Sequence, residues 1–330
     1  TGTEIALYDY AVGNEEVLGN RSFILYNGRH PNNSAEALQK FSQRFDVLAY
    51  DDFSEVDALL QKKGADLMYM IKSGKRDGKL SHRVPTMVHA VFPTNPSQAH
   101  GASYAFISEW LSRNCANDRI PCVPHIVTLP QSDENLRDSL SIPAGAKVIG
   151  TYGGRLNFDI AAAREAVAEL VESDPAVWFL FMNTEKFVEH PRAVFLPGTT
   201  DLLQKVRFIN SCDAMLHARR MGESFGLACA EFSIRNKPVI TYRHNKHTHH
   251  HDVLGDKGFY FTDKASLMKI IRSLQPDQIR ARNWDQYSSR YNCEVVMEKF
   301  DRHLIQPALK NSRLDRPELG ISLFDSLPYY

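Results

Sequence analysis

Apolar and polar positions along this chain switch repeatedly between a period near two and a period near 3.6, and these switches predict its elements. Near the N-terminus EIALY, residues 4–8, is a short apolar run that ends in DYAVGN. It reads as a strand followed by a turn at Gly13 and Asn14. Helical spacing over residues 35–45 leads into a second extended run, DVLAY, at 46–50. Residues 54–63 again read as helix, 66–71 and 85–92 as extended, and 103–113 (SYAFISEWLSR) as helix. Strands that alternate with helices predict a mainly parallel sheet covered on both faces.

The pattern breaks at 131–146, QSDENLRDSLSIPAGA, which is polar and holds Pro143 and Gly145; this stretch reads as a linker. Beyond it the alternation is cleaner. KVIGTY, VWFLFM, AVFLPG, AMLHA and KPVITY read as strands, with helices at 160–173, 200–211 and about 225–235, which is a second Rossmann-like sheet. After 275 comes a helical region, NWDQYSSRYNCEVVMEKFDRHLI, and a proline-containing tail. The expected organisation is a first domain over 1–135, a second over 136–282, and a helix and tail, 283–330, that pack back on the first. No internal repeat or low-complexity tract is evident.

Length agrees with this division, since 330 residues suit two ordinary α/β domains with a cleft between them. Apolar residues at 43% and charged residues at 24% are sufficient for a packed core. Lys plus Arg and Asp plus Glu stand at 39 each, so no global field would hold the chain on nucleic acid or an acidic membrane, and any anion needs a local site. No run of some 18 apolar residues and no signal peptide is present, so neither a transmembrane segment nor secretion is expected, and the plain reading is a cytoplasmic enzyme. Thr1 is not an initiator, which leaves open whether the chain is trimmed or cut from a longer product. Five cysteines without a CxxC pair argue against a disulfide framework or a structural zinc.

The segment with the most chemistry is 213–240, DAMLHARRMGESFGLACAEFSIRNKPVI, read as strand, glycine turn, helix, turn and strand. Ligands of parallel sheets bind beyond the carboxyl ends of strands, and here that end carries Arg219, Arg220, Gly222, Glu223 and Gly226 ahead of a helix. A helix start offers unpaired N–H groups and a positive dipole end, so a diphosphate fits there without a metal, and Gly226 allows close backbone approach. On a continuous helix Glu223 and Glu231 would lie roughly 12 Å apart, which suits one ligand with hydroxyls at both ends and phosphates between.

GESFGLACAEFSIRNKPVI resembles the E-x7-E signature of retaining glycosyltransferases of family 4 and related GT-B enzymes. Upstream, FLPGTTDLLQKVRFINSCDAML, LRDSLSIPAGAKVIGTYGGR, FISEWL and VPHIV are similar to further stretches of that family, in the right order over roughly residues 85–275. The resemblance implies an α/β fold of GT-B type, two Rossmann-like domains with a cleft between them, and transfer of a sugar from a nucleoside diphosphate sugar to a glycan or other acceptor with retention. It implies that Glu223 contacts the transferred sugar, that Ser224, Phe225, Gly226 and Leu227 present groups to sugar and phosphate, and that Glu231 takes the ribose hydroxyls. Arg155, after the Gly153–Gly154 turn, matches the family's phosphate-binding arginine. It would stabilise charge that grows on the departing diphosphate.

One departure stands out: RLNFDIAAA has no lysine a few residues after Arg155, where the family usually carries one. Arg219 or Arg220 is then the nearest replacement. His89 falls near the position of a family histidine that faces the sugar, with His100 competing and a buried structural role equally open. Gly13 and Asn14 read either as a loop that approaches the sugar or as a plain turn. HNKHTHHHD, with His244, His247, His249, His250 and His251, has an i, i+4 pair but no thiol or carboxylate at metal spacing, and reads as a cleft loop or surface rather than a zinc site. No cofactor and no metal are expected. A front-face route fits better than double displacement, which needs two carboxylates about 5 Å apart. The alternatives are a GT-B sugar-nucleotide epimerase and a non-catalytic sugar or nucleotide binder.

Overall fold

In the computed structural model, which describes residues 2–311, a helix, Gly2–Glu16, precedes the first strand. It replaces the strand expected at 4–8. Ala6 and Tyr10, one helical turn apart, are both buried, so EIALYDYA uses a period near four rather than two. Strand β1 (Phe23–Asn27) pairs in parallel with β2 (Asp46–Tyr50). A separate parallel sheet holds β3 (Met68–Lys72), β4 (Thr86–Ala90) and β5 (Ser103–Phe106) in that order. The helix expected over 103–113 is thus a strand followed by the helix Glu109–Ala116, whose N-cap Ser108 accepts from the Leu111 N–H.

The six-stranded parallel sheet runs β13 (Phe259–Phe261), β11 (Val239–Tyr242), β9 (Ala214–His217), β6 (Lys147–Tyr152), β7 (Val177–Met182), β8 (Ala193–Leu196). Its strands are covered on both faces, which is why KVIGTY and VWFLFM read as near-continuous apolar runs. The short strands β10 (Gly222–Glu223) and β12 (His247–Thr248) pair beside its carboxyl end. Helices Ala161–Ser173, Leu202–Ser211, Leu227–Ile234 and Lys264–Ser273 connect the strands; Asp201 and Asp263 cap the second and fourth through their side chains.

The chain then returns to the first lobe. Helix Cys293–Phe300 continues through a π-turn, Asp301–Ile305, into Gln306–Lys310. Phe300 stacks on Tyr10 at 5.2 Å, and the Tyr10 hydroxyl donates to the Pro124 carbonyl at 2.8 Å. Most of the tail expected in 283–330 lies outside the described residues. Among the described residues no helix is long and apolar enough to cross a membrane.

Candidate functional site

Glu223 sits six residues past His217, the last residue of β9, on a loop shaped by two glycines. Gly222 has φ +70°, and a Cβ there would stand 2.1 Å from the His247 carbonyl oxygen, so β10 and β12 meet only because this residue is glycine. Gly226 has φ +91° and caps the helix Leu227–Ile234. The helix therefore starts four residues after Glu223, and the spacing derived for one continuous helix does not apply.

The Glu223 side chain is about one-fifth exposed. Its Oε1 lies 3.0 Å from Nη1 of Arg219 and 3.3 Å from Nε2 of His217. Burial opposes its ionisation, but the His217 hydrogen bond and the nearby charges of His217 and Arg219 outweigh it and hold the carboxyl below its ordinary value. Glu223 is an anion at neutral pH, although it faces the carboxyl end of the sheet.

Behind it lies a network the sequence reading missed. A carboxylate only accepts, so His217 Nε2 donates to Glu223, and Nδ1 meets the Thr241 hydroxyl at 2.9 Å. Thr241 Oγ1 also lies 3.0 Å from Nε2 of His250, and Asn245 Oδ1 lies 3.1 Å from His250 and 3.0 Å from His251. Asn245 Nδ2 closes the network by donating to the Arg219 carbonyl at 2.6 Å. The histidine-rich segment thus props up the Glu223 loop from inside. The presence of a histidine in AMLHA, two residues before Arg219, was the available signal for His217.

Several expected residues stand elsewhere. Gly13 is inside the first helix, where a Cβ would meet Met297 Cγ at 2.7 Å; it is a helix-packing glycine, not a cleft loop. His89 is fully buried in β4: its Nε2 donates to the Val123 carbonyl at 2.8 Å, which leaves Nδ1 to accept from Tyr69 at 2.8 Å. Burial lowers its pKa to about 4, so it is a neutral core histidine with both nitrogens committed, not one presented to the cleft. His100 bonds locally to the Gln98 carbonyl. Arg155 is exposed, while its neighbours Gly153 and Gly154, with Asn157, His217, Arg219, Glu223 and others, line a recess of about 50 Å³.

Glu231, expected to take ribose hydroxyls, is 4% exposed. Lys205 Nζ donates to its Oε1 at 2.8 Å and the Tyr152 hydroxyl to its Oε2. Burial, reinforced by Asp9, pushes the Glu231 carboxyl up, and burial brings the Lys205 ammonium down to about 8. This is a structural pair sealed under the loop rather than an open carboxylate. Ser224 Oγ donates to the Val91 carbonyl at 3.2 Å and so ties the site loop to the end of β4 across the cleft. Phe225 is buried against His125, His249 and Tyr291, while Leu227 opens the helix partly exposed. Among the described residues, no three His, Cys, Asp or Glu side chains stand together so as to hold a metal ion.

No family profile matches the chain, and no curated protein matches it in sequence. Its fold is matched by solved structures. HepE from Anabaena, solved with UDP-glucose, aligns at TM-score 0.65 and 16% identity, covering 91% of this chain and 95% of that one. A glycosyltransferase from Rickettsia africae aligns at 0.61 and 11% identity over 93% and 92%. The lipopolysaccharide outer core galactosyltransferase WaaB aligns at 0.58 and 13% identity over 93% and 96%. The chain therefore has the two-lobed α/β fold of GT-B glycosyltransferases.

Proposed function

We propose that this chain transfers a sugar from a nucleoside diphosphate sugar to a glycan or other acceptor, with retention and without a metal. The observation that carries this reading is the ionised Glu223, held by Arg219 and His217 at the carboxyl end of β9 ahead of a glycine-capped helix. A carboxylate there stabilises the cationic anomeric carbon of the transition state, and the helix N-terminus with Arg219 takes the diphosphate. Arg219 thereby covers the charge that the missing lysine would supply, and exposed Arg155 swings in over Gly153 and Gly154 when donor binds. Ser224, Phe225, Gly226 and Leu227 frame the sugar and phosphates. In this reading residues 1–135 form the acceptor side and 136–282 the donor side, with 283–330 returning to the first.

A recess of about 50 Å³ is smaller than a sugar nucleotide, so in this reading its walls move apart when the donor binds. The small recess and the engaged Glu231 favour, as a second reading, a binder that has lost turnover. UDP-, GDP- and ADP-sugars, screened by thermal shift with and without chelator and assayed for donor hydrolysis without acceptor, separate the two readings. Our reading expects a rise in Tm with one nucleotide, unchanged by chelator, together with slow hydrolysis. Binding without turnover under any acceptor supports the second reading, and no binding at all contradicts both.

A further inference from the structure

Six large apolar side chains are exposed among the described residues, and three of them, Phe92, Leu156 and Met221, stand on loops at the carboxyl ends of strands. These loops follow β4, β6 and β9, and such loops are where parallel sheets bind ligands. An apolar side chain exposed singly carries no message, but a group of them around a cleft does. Leu156 follows Arg155 and Met221 lies two residues before Glu223, so both belong to the second lobe. Phe92 is the aromatic member and comes from the first. Its neighbours hold it in place. Pro93 restricts the Phe92 backbone to extended conformations. The Phe92 carbonyl accepts from Thr94 Oγ1 at 2.9 Å, and Thr94 Oγ1 lies 3.5 Å from the Tyr104 hydroxyl, which donates to the Gly74 carbonyl at 2.9 Å. On the other side the Val91 carbonyl accepts from Ser224, the residue after Glu223. A phenyl ring that is 57% exposed is thus fixed one residue from the bridge to the Glu223 loop.

We propose that Phe92 is the platform on which the acceptor lies, and that this acceptor is a saccharide whose pyranose ring packs on the phenyl face. The proposal rests on the functional reading above, which puts the reacting anomeric carbon at Glu223. A pyranose ring turns out a face of C–H groups, which the electron-rich face of an aromatic ring attracts, and an edge of hydroxyls. Both find a counterpart on this rim. Phe92 offers the aromatic face. Trp110 stands in the first turn of the helix that follows β5, the strand paired with β4. Its ring lies 5.0 Å from that of His247, which pairs with Gly222 beside Glu223. Both rings are only partly buried, so their N–H groups can serve hydroxyls. A lipid or another long apolar acceptor fits worse, because it needs a continuous apolar channel. The recess beside Glu223 is lined by Thr151, Asn157, Thr184 and Arg219 among others, and the apolar cavity of the first lobe, about 720 Å³, does not include Phe92 in its lining.

Saturation-transfer NMR tests this without donor or turnover. The probes are the methyl glycosides of glucose, galactose, mannose and N-acetylglucosamine, together with octyl glucoside below its micelle concentration. In the wild-type chain, saturation of the protein's aromatic protons should pass most strongly to the C–H protons on one pyranose face of at least one methyl glycoside. Phe92→Leu keeps an apolar side chain but removes the ring, and should weaken that binding by roughly twofold to tenfold, whereas Phe92→Tyr should retain it. Val17→Ala, which trims an exposed apolar side chain just after the first helix, should bind as wild type does. Three results overturn the proposal: no methyl glycoside binds up to its solubility limit, Phe92→Leu binds as tightly as wild type, or only the octyl chain receives saturation. A chain that binds nucleotide but no glycoside fails here alone. One that packs glycosides on Phe92 but binds no nucleotide fails the functional reading alone, so the two failures are distinguishable.

Discussion

Arg219 Nη1 stands 3.0 Å from Oε1 of Glu223, and His217 approaches the same oxygen from inside the fold at 3.3 Å. Both are donors to an acceptor, and both keep the carboxylate charged in a place where burial alone would neutralise it. If they set its ionisation, removing them should matter most at acid pH. Without Arg219 and the His217 bond, burial is the main influence left on Glu223, and its carboxyl moves upward. Arg219→Gln and His217→Phe should each shift the acid limb of the kcat/KM against pH profile to higher pH. An unchanged limb in both variants would show that their charges do not reach Glu223.

Lys205 and Glu231 make a second prediction, because their side chains are 7% and 5% exposed and leave no room for water to replace a lost partner. Lys205→Met should destabilise the fold by about 3 to 5 kcal/mol, as is usual when one member of a buried pair is removed. The double variant Lys205→Met with Glu231→Leu should recover much of that loss. Denaturant melts of wild type, Lys205→Met, Glu231→Leu and the double variant check this; a double variant as unstable as the sum of the two singles would mean the pair is not coupled.

These two glutamates show what was legible in the sequence. The Glu223 loop was readable because strand, glycines and helix start are local features of 213–240. The sealing of Glu231 was not, since its partners Tyr152 and Lys205 lie 79 and 26 residues away and meet it only through folding. The second lobe was read nearly strand by strand, because buried parallel strands such as VWFLFM leave no competing period. In the first lobe EIALY is too short for its period to decide, and packing of Ala6 and Tyr10 made it helical. SYAF was swallowed into the helix behind it, and Ser108, the N-cap that separates them, was the overlooked mark. His89 was legible as a strand histidine, but not its two bonds, which come from Tyr69 and from Val123.

Buried histidines predict the acid side of stability. Burial lowers His89 to about 4, His125 to about 3 and His249 to about 4, each from 6.5. The unfolded chain therefore binds more protons than the native one between those values, and stability falls as pH drops through 6.5 toward 4. One such histidine contributes on the order of 3 kcal/mol across that window. Asp9, raised by burial to about 7 against the pull of Lys40 and Lys205, acts with the opposite sign and blunts the slope between 7 and 3.8. Unfolding free energy should decline from pH 6.5 to 4 with net proton uptake, and His125→Phe should flatten it. A flat profile over that range would contradict the buried neutral assignments.

Gly222 predicts a loop-specific defect. With φ +70° and the His247 carbonyl 2.1 Å from its missing Cβ, Gly222→Ala cannot keep the pairing of β10 with β12. It should cost at least about 1 kcal/mol and displace Glu223. Gly145→Ala, which meets nothing within 4 Å, should leave both Tm and donor hydrolysis near wild type. Equal behaviour of the two variants would show that the loop is not held by this glycine.

The central claim is that Glu223 acts on the group being transferred and not on the nucleotide. Its most direct test is the Glu223→Gln variant, measured for turnover and for binding of free nucleoside diphosphate by calorimetry. Loss of a charge-assisted contact made mainly in the transition state should lower kcat by roughly tenfold to a hundred and fifty fold, while nucleotide affinity stays within about twofold of wild type. Unchanged kcat, or a fall in nucleotide affinity that accounts for the whole loss, would contradict the placement of the sugar at Glu223.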